Sequence, residues 1–149
     1  MRKNKVCVCG HFGFGQNLLN GQTIKTKIVA EELERVLGEH NVFKIDTAGG
    51  VISLPKIWWK GLVASYKCKN VITLLSDNGL KAVMPAFVFY KFIFHNKISH
   101  LCLGAELAKY LERTPWVKKL MLKVDNLYAE TNTLKKALKS MGFENVRIL

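Results

Sequence analysis

Acidic side chains are scarce in this sequence: 11 aspartates and glutamates stand against 23 lysines and arginines, a formal charge of +12 at pH 7. The shortage is uneven. From Thr47 to Ala105 the only acid is Asp77, while Lys56, Lys60, Lys67, Lys69, Lys81, Lys91 and Lys97 all fall in that stretch. A surface this basic attracts polyanions. Long apolar runs are missing too. No stretch of ~18 uncharged apolar residues is present, which excludes a transmembrane helix. The few apolar residues before Gly10 are too short a run for a signal-peptide core, so a cytoplasmic location is expected. No Cys-x-x-Cys pair occurs, which removes the usual zinc and thioredoxin-like chemistries. Cys7, Cys9, Cys68 and Cys102 read instead as small buried hydrophobes in a reducing compartment. There is no Asp-x-Asp and no carboxylate cluster, so no metal is implied. No arginine-rich run, recognition helix or aromatic RNP-like strand supports a nucleic-acid partner.

What is present is an alternation of strand and helix over 149 residues, long enough for one domain with a real core. Strand patterns cover residues 5–9, 41–46, 70–75, 97–103, 126–129 and 145–149. Helix patterns cover residues 23–37, 54–66, 80–94, 105–112, 115–123 and 132–141. In the first helix Ile24, Ile28, Val29, Leu33, Val36 and Leu37 recur at helical spacing, with charged residues between them. Pro55 suits the first turn of the second helix. The run Asn70–Leu75 is continuously apolar apart from Asn70 and Thr73, as expected of a buried parallel strand. The order βαβαβαβααβαβ with short connections predicts a Rossmann-like α/β fold: an open, mostly parallel six-stranded sheet with helices on both faces. No repeat, low-complexity segment or linker divides residues 1–149. The sequence stops on a strand pattern, so an excised or truncated domain is expected.

Chemistry concentrates after the first strand, in the segment Gly10-His11-Phe12-Gly13-Phe14-Gly15-Gln16-Asn17-Leu18-Leu19-Asn20-Gly21-Gln22-Thr23. A glycine-rich turn between strand and helix exposes backbone N–H groups where the helix dipole favours anions. A dinucleotide site requires Gly-x-Gly-x-x-Gly with an acid about 20 residues on. Here the spacing is Gly10-x-x-Gly13-x-Gly15, and the loop runs on through Asn17, Asn20 and Gly21, although Asp46 does end the second strand. A P-loop needs a lysine where Gly21-Gln22-Thr23 has none. A sugar or nucleotide-sugar site fits better: Asn17, Asn20 and Gln22 both donate and accept, which suits hydroxyl-rich ligands, and Gly13, Gly15 and Gly21 allow close backbone approach. His11 fits either a catalytic or hydroxyl-orienting role or a structural one. Glu130 reads as a helix-start carboxylate or as a base.

Gly10-His11-Phe12-Gly13 through Gly21-Gln22-Thr23, with the helix over 25–37, resembles the opening of GT-B glycosyltransferases, the nearest likeness being bacterial enzymes of capsular or other surface-polysaccharide assembly. The resemblance continues through Val71–Leu75 with Ser76-Asp77-Asn78-Gly79-Leu80, through Leu101-Cys102-Leu103-Gly104-Ala105, and through Asp125–Thr131 with the helix and strand beyond. It implies the acceptor-side N-terminal half of a two-domain enzyme. The donor would be a nucleotide-diphosphate sugar, the acceptor a glycan or lipid-phosphate, and a C-terminal donor domain would complete the cleft. No cofactor beyond the donor substrate is implied. The resemblance would line the cleft with Gly13, Phe14, Gly15, Asn20 and Gly21, and with Asn78, Gly79, Gly104, Glu106, Glu130 and Thr131 at the ends of later strands. The rival expectation is a non-catalytic Rossmann-like binding module for an anionic partner.

A second feature is the basic aromatic stretch. Residues 54–69 hold Trp58, Trp59, Tyr66, Lys56, Lys60, Lys67 and Lys69 with no acid, and residues 80–94 hold Phe87, Phe89, Tyr90, Phe92 and Phe94. Such a pattern suits either core helices with solvated lysines or a patch that meets an anionic membrane surface. The second alternative carries the expectation of peripheral association with the inner face of the cell membrane.

Overall fold

A computed structural model of the chain describes residues 5–15 and 20–149. Gln16 to Leu19, including the Asn17 amide offered above as a ligand contact, lie outside the described residues. The elements run β1 (Val6–Gly10), α1 (Gly21–Leu37), β2 (Val42–Asp46), α2 (Leu54–Lys67), β3 (Asn70–Leu74), α3 (Asp77–Ala82), α4 (Met84–Phe94), β4 (Lys97–Leu101), α5 (Leu107–Arg113), α6 (Pro115–Met121), β5 (Asn126–Ala129), α7 (Asn132–Ser140) and β6 (Val146–Ile148). The six strands form one sheet in the order β2-β1-β3-β4-β5-β6, and every neighbouring pair is parallel. The fold is therefore Rossmann-like α/β with an open, wholly parallel sheet.

The single helix expected over residues 80–94 is two. Pro85 lacks an N–H and its ring crowds the carbonyl four residues back. The chain accordingly ends α3 at Ala82 and restarts as α4 with Pro85 in its first turn. Asp77, Asn78 and Gly79, ahead of that expected helix, supply the first half of α3. At the front of α1, Asn20 is the N-cap: its side-chain oxygen accepts from the Thr23 N–H at 2.8 Å. That satisfies one of the donors every helix N-terminus exposes.

Alternate side chains of a strand point to opposite faces. Cys7, Cys9, Ile45, Val71, Ile98, Leu127 and Val146 meet helices α2 to α7 in the main core. Val8, Val42, Leu74 and Leu101 meet α1, through Val29, Ala30 and Leu33, in a smaller second core that also takes Phe12. Both faces carry helices, but unequally, because only the β1 to β2 connection steps against the general direction of the sheet. Right-handed crossovers then put α1 on one face and the other six helices on the opposite one.

That imbalance corrects the expected apolar stripe of α1. Its buried residues are Thr23, Thr26 and Ala30, whereas Ile24, Ile28 and Val36 are exposed. No second helix stands beside α1 among the described residues to cover them. A groove of about 470 Å3 lined by Ile28, Val36, Ile72, Leu101, Tyr128 and Leu149 runs between α1 and the far strands.

Close approach of α1 to β1 depends on Gly10. A Cβ there would sit 2.8 Å from Thr26 Cγ2, 2.9 Å from Thr26 Oγ1 and 3.1 Å from the Leu74 carbonyl oxygen. Thr26 cannot swing away easily, because it is fully buried and its hydroxyl donates to the Gln22 carbonyl at 2.8 Å. Gly10→Ala is expected to cost roughly 2 kcal/mol, the usual scale of overpacking, read as a lower urea midpoint. Adding Thr26→Ala, which removes both clashing atoms, should recover part of the loss. Equal stability of Gly10→Ala and the parent would show that α1 shifts freely.

Candidate functional site

The C-terminal ends of the strands define the candidate site. In an open parallel sheet ligands bind outside those ends, at the point where strand order reverses. Here the reversal lies between β1 and β3, since β1 is followed by β2 on one side and then by β3 on the other. The glycine-rich loop after β1 and the turn after β3 flank this crevice.

Asp46, at the end of β2, organises the loop. Its Oδ1 accepts from the Phe12 N–H at 2.9 Å and the Ala48 N–H at 2.9 Å, and its Oδ2 accepts from the Phe14 N–H at 2.8 Å. Partial burial works against the charged form, but the backbone N–H groups of Ala48, Phe14, Gly13 and Phe12 outweigh it and hold the carboxyl below its ordinary value. A carboxylate so engaged with backbone donors is a fastener for the loop. This explains physically why an acid at the end of β2 accompanies a loop whose glycine spacing does not suit a dinucleotide.

Positive φ at Gly13 (63°) and Gly15 (80°) lets the chain curl around Asp46. Gly13 is buried and Gly15 exposed. Phe12 turns inward, 1% exposed, and Phe14 outward, 58% exposed. Their rings stack with centroids 4.9 Å apart and planes 13° apart. The loop therefore presents a solvent-facing aromatic ring fixed from behind by a second ring and from below by a hydrogen bond.

The start of α1 is fastened just as firmly. His11 Nδ1 lies 2.7 Å from the Thr23 hydroxyl oxygen, Gln22 Nε2 donates to the Leu74 carbonyl at 3.2 Å, and Asn20 is occupied as the cap. Two of the amides read above as ligand groups thus hold backbone. Gly21 remains open: it is exposed, and among the described residues a Cβ there would meet nothing within 4 Å.

The later candidates separate into two groups. Asn78 is exposed in α3, next to the switch point, while Gly79 packs against Leu75, whose Cβ would be 3.1 Å from an added methyl. Gly104 (φ 79°) and Glu106 are exposed after β4, and Glu106 pairs with Lys109 at 3.3 Å. Glu130 and Thr131 follow β5, about 14 Å from β1 across three strand spacings. Capping of α7 falls to Thr131, whose hydroxyl accepts from the Leu134 N–H at 3.2 Å. Glu130, one residue earlier, is instead bound to Lys25 of α1, so the helix-start role expected for it belongs to its neighbour. The Lys25–Glu130 pair joins residues 105 apart in sequence, and no local pattern announces it. It stands over a cavity of about 170 Å3 lined by Ile28, Val29, Leu74, Leu101, Cys102 and Leu103.

Thiol chemistry is absent from this edge. None of the four cysteines is in a disulfide, and all four are buried. Burial, with a contribution from Glu130, pushes the Cys102 thiol up to about 12, and burial raises Cys7 and Cys9 as well. Groups held protonated at neutral pH are poor nucleophiles. Among the described residues no cluster of His, Cys, Asp or Glu gathers that could hold a metal ion. No helix among them is long and apolar enough to cross a membrane.

No protein-family model, no curated protein and no solved structure matches the chain. Its fold is set by its own geometry: a Rossmann-like parallel α/β domain with the glycine-rich loop after β1 at the switch point.

Proposed function

We propose that this domain is the acceptor-side half of a GT-B glycosyltransferase, which moves a sugar from a nucleotide-diphosphate donor to a hydroxyl of a glycan or lipid-linked acceptor. The observation that carries the reading is the loop 10–15. It is clamped by Asp46 and displays the stacked Phe14 ring beside the open Gly15 and Gly21 backbone at the switch point. An exposed, immobilised aromatic ring binds the flat face of a base or the apolar face of a sugar. Backbone N–H groups at a helix start favour a phosphate. Asp46 is consumed within the protein, so the ribose contact of a dinucleotide site is not what it offers. His11, held by Thr23, the exposed Asn78 and Glu106, and the Gly104 backbone, all at strand ends, would orient acceptor hydroxyls. The donor phosphates would receive most of their positive charge from a second domain.

Titration with nucleotide-diphosphate sugars and with isoprenoid phosphates, followed by backbone amide shifts, tests the reading. Shifts are expected at Gly13, Phe14, Gly15, Gly21 and Asn78. Gly21→Leu should leave the melting temperature within about 2 °C of the parent, because the added side chain enters open space and exposed substitutions cost little. The same variant should weaken ligand binding about tenfold or more, the scale of a clash with bound ligand. Shifts confined to surfaces away from the strand ends, or undiminished binding by Gly21→Leu, would overturn the assignment. Binding of simple polyanions with no preference for sugar-bearing ligands would favour the non-catalytic module.

A further inference from the structure

On the face of the sheet that carries α1, no helix among the described residues lies over β3 to β6. Purely parallel sheets occur almost only with both faces covered. The strand register identifies what is left bare. Ile72, Ser99 and Asn126 stand abreast on β3, β4 and β5, and Leu101, Tyr128 and Arg147 stand abreast on β4, β5 and β6. Ile72 and Tyr128 are half-buried, and Arg147 and Leu149 are exposed. This strip continues the groove of about 470 Å3 beside α1, whose other wall is Val29, Leu33 and Val36.

α1 turns Thr23, Thr26 and Ala30 inward, so Ile24 and Ile28, four residues apart, share the side turned away from its own sheet. They are 43% and 53% exposed, and Val36, at the groove, is 69% exposed. A helix with an unused apolar side thus lies next to a strip of sheet that lacks a helix.

Charge selects the occupant. The chain carries +12, so most of its surface repels a second copy. α1 is balanced: Lys25, Lys27 and Arg35 stand against Glu31, Glu32 and Glu34. Both lysines fall in its first half and all three acids in its second. Two antiparallel α1 helices therefore bring unlike halves together, the self-complementarity that a two-fold contact requires. The other large apolar display lacks this property. There α2 and α4 pack closely at Gly61, where a Cβ would sit 3.4 Å from Phe87, and leave Trp59 and Phe89 67% and 60% exposed. The six residues read from the sequence as a membrane patch, Lys56, Trp58, Trp59, Lys60, Lys67 and Lys69, are all exposed. No acid occurs in residues 54–69, so a copy placed there would meet like charge.

We infer that the chain forms a two-fold dimer in which each α1 lies antiparallel beside the other and covers the bare strip of the other copy's sheet. Ile24 and Ile28 of one copy pack on Ile72 and Tyr128 of the second. Arg147, which makes no ion pair among the described residues, stands at the strip's edge and meets the acidic half of the incoming α1. The patch is large enough. The outer side of α1, about 25 by 10 Å, and the strip, about 14 by 17 Å, offer roughly 500 Å2 per copy. A specific interface needs about 1,000 Å2 over both partners. The strip lies on a face of the sheet and the crevice at the strand ends, so the dimer stands whether or not the domain serves sugar transfer.

Analytical ultracentrifugation of the chain from about 1 to 200 μM, a range that brackets a micromolar dissociation constant, is the test, with each variant's fold checked by circular dichroism. The mass is expected to rise from 16.9 kDa to twice that and no further, because a two-fold contact closes on itself. Ile24→Ser/Ile28→Ser should raise the dissociation constant about tenfold or more, and Glu31→Lys/Glu32→Lys by about tenfold. Glu112→Lys/Glu144→Lys, the same change of net charge away from α1, and Trp59→Ser/Phe89→Ser should each leave it nearly unchanged. Four outcomes overturn the inference: a monomer throughout, species larger than two copies, equal loss from the two glutamate variants, or a dimer that Trp59→Ser/Phe89→Ser abolishes.

Discussion

Lowering the pH from 6.5 to 4 is expected to remove on the order of 3 kcal/mol of folding stability through His100 alone. His100 lies fully buried in β4, with Nδ1 2.8 Å from the Thr73 hydroxyl oxygen. Its Nε2 has no partner among the described residues. Charging the ring would place a second N–H donor where nothing accepts it. Burial accordingly pulls the imidazole down from 6.5 to about 4, and the hydrogen bond with Thr73 offsets only part of that. The folded-state value is the depressed one, so the unfolded chain takes up a proton first as pH falls. Stability is fully present above pH 6.5 and declines through the window down to about 4. Urea melts at intervals across that window should show the decline. A Thr73→Val/His100→Leu double variant replaces both partners by apolar groups, which is close to neutral for stability at pH 7, and should lack the slope. A double variant that keeps the full slope would assign the effect to other groups.

Asp46→Ala is expected to cost about 2–3 kcal/mol at pH 7. The side chain accepts three backbone hydrogen bonds within 2.9 Å, and bonds to a charged acceptor are worth more than neutral ones. The figure is kept below their sum because the carboxylate is only partly buried. The loss should be local as well as global. Amide exchange at Phe12 and Phe14 should accelerate far more than exchange in β3, because these N–H groups lose their acceptor while the sheet keeps its ladder. Asp46→Asn, with one acceptor oxygen left, should fall between. In the parent the Asp46 contribution is present above the ordinary carboxylate value of 3.8 and is lost as pH falls through the lower folded one. This window lies below that of His100, so the two effects separate on one pH titration. Unchanged exchange at Phe12 and Phe14 in Asp46→Ala would show that the loop holds its shape without the carboxylate.

These two side chains show what pattern reading misses. His100 sits on a strand, as a structural histidine would, but only its complete burial under the helices that cover β4 makes it a titrating liability. Asp46 was noted as an acid at the end of a strand. Its role depends on the parallel pairing of Gly10 with Asp46, which sets the β1 loop against its carboxylate. Asn20 and Gln22 were read as ligand amides, and their side-chain chemistry was right in kind: each does make hydrogen bonds, but to backbone that a helix start and a strand end leave open. The pairing of Lys25 with Glu130 carried no signal, because the contact is made by the assembled sheet and not by local spacing.

Local physics reached a long way even so. Strand and helix periods, proline positions and short connections sufficed for six strands, their parallel sense and the Rossmann-like class, since parallel strands need crossovers and crossovers have a hand. The same local rules placed the glycine-rich turn after β1. Tertiary structure decided the rest. Strand order put the switch point between β1 and β3, and with it the crevice. Crossover handedness left α1 alone on its face and exposed Ile24, Ile28 and Val36. Packing of α2 on α4 turned two apolar helices into one outward aromatic surface. Periodicity reports which side of an element is apolar; only the assembled sheet determines whether anything covers that side.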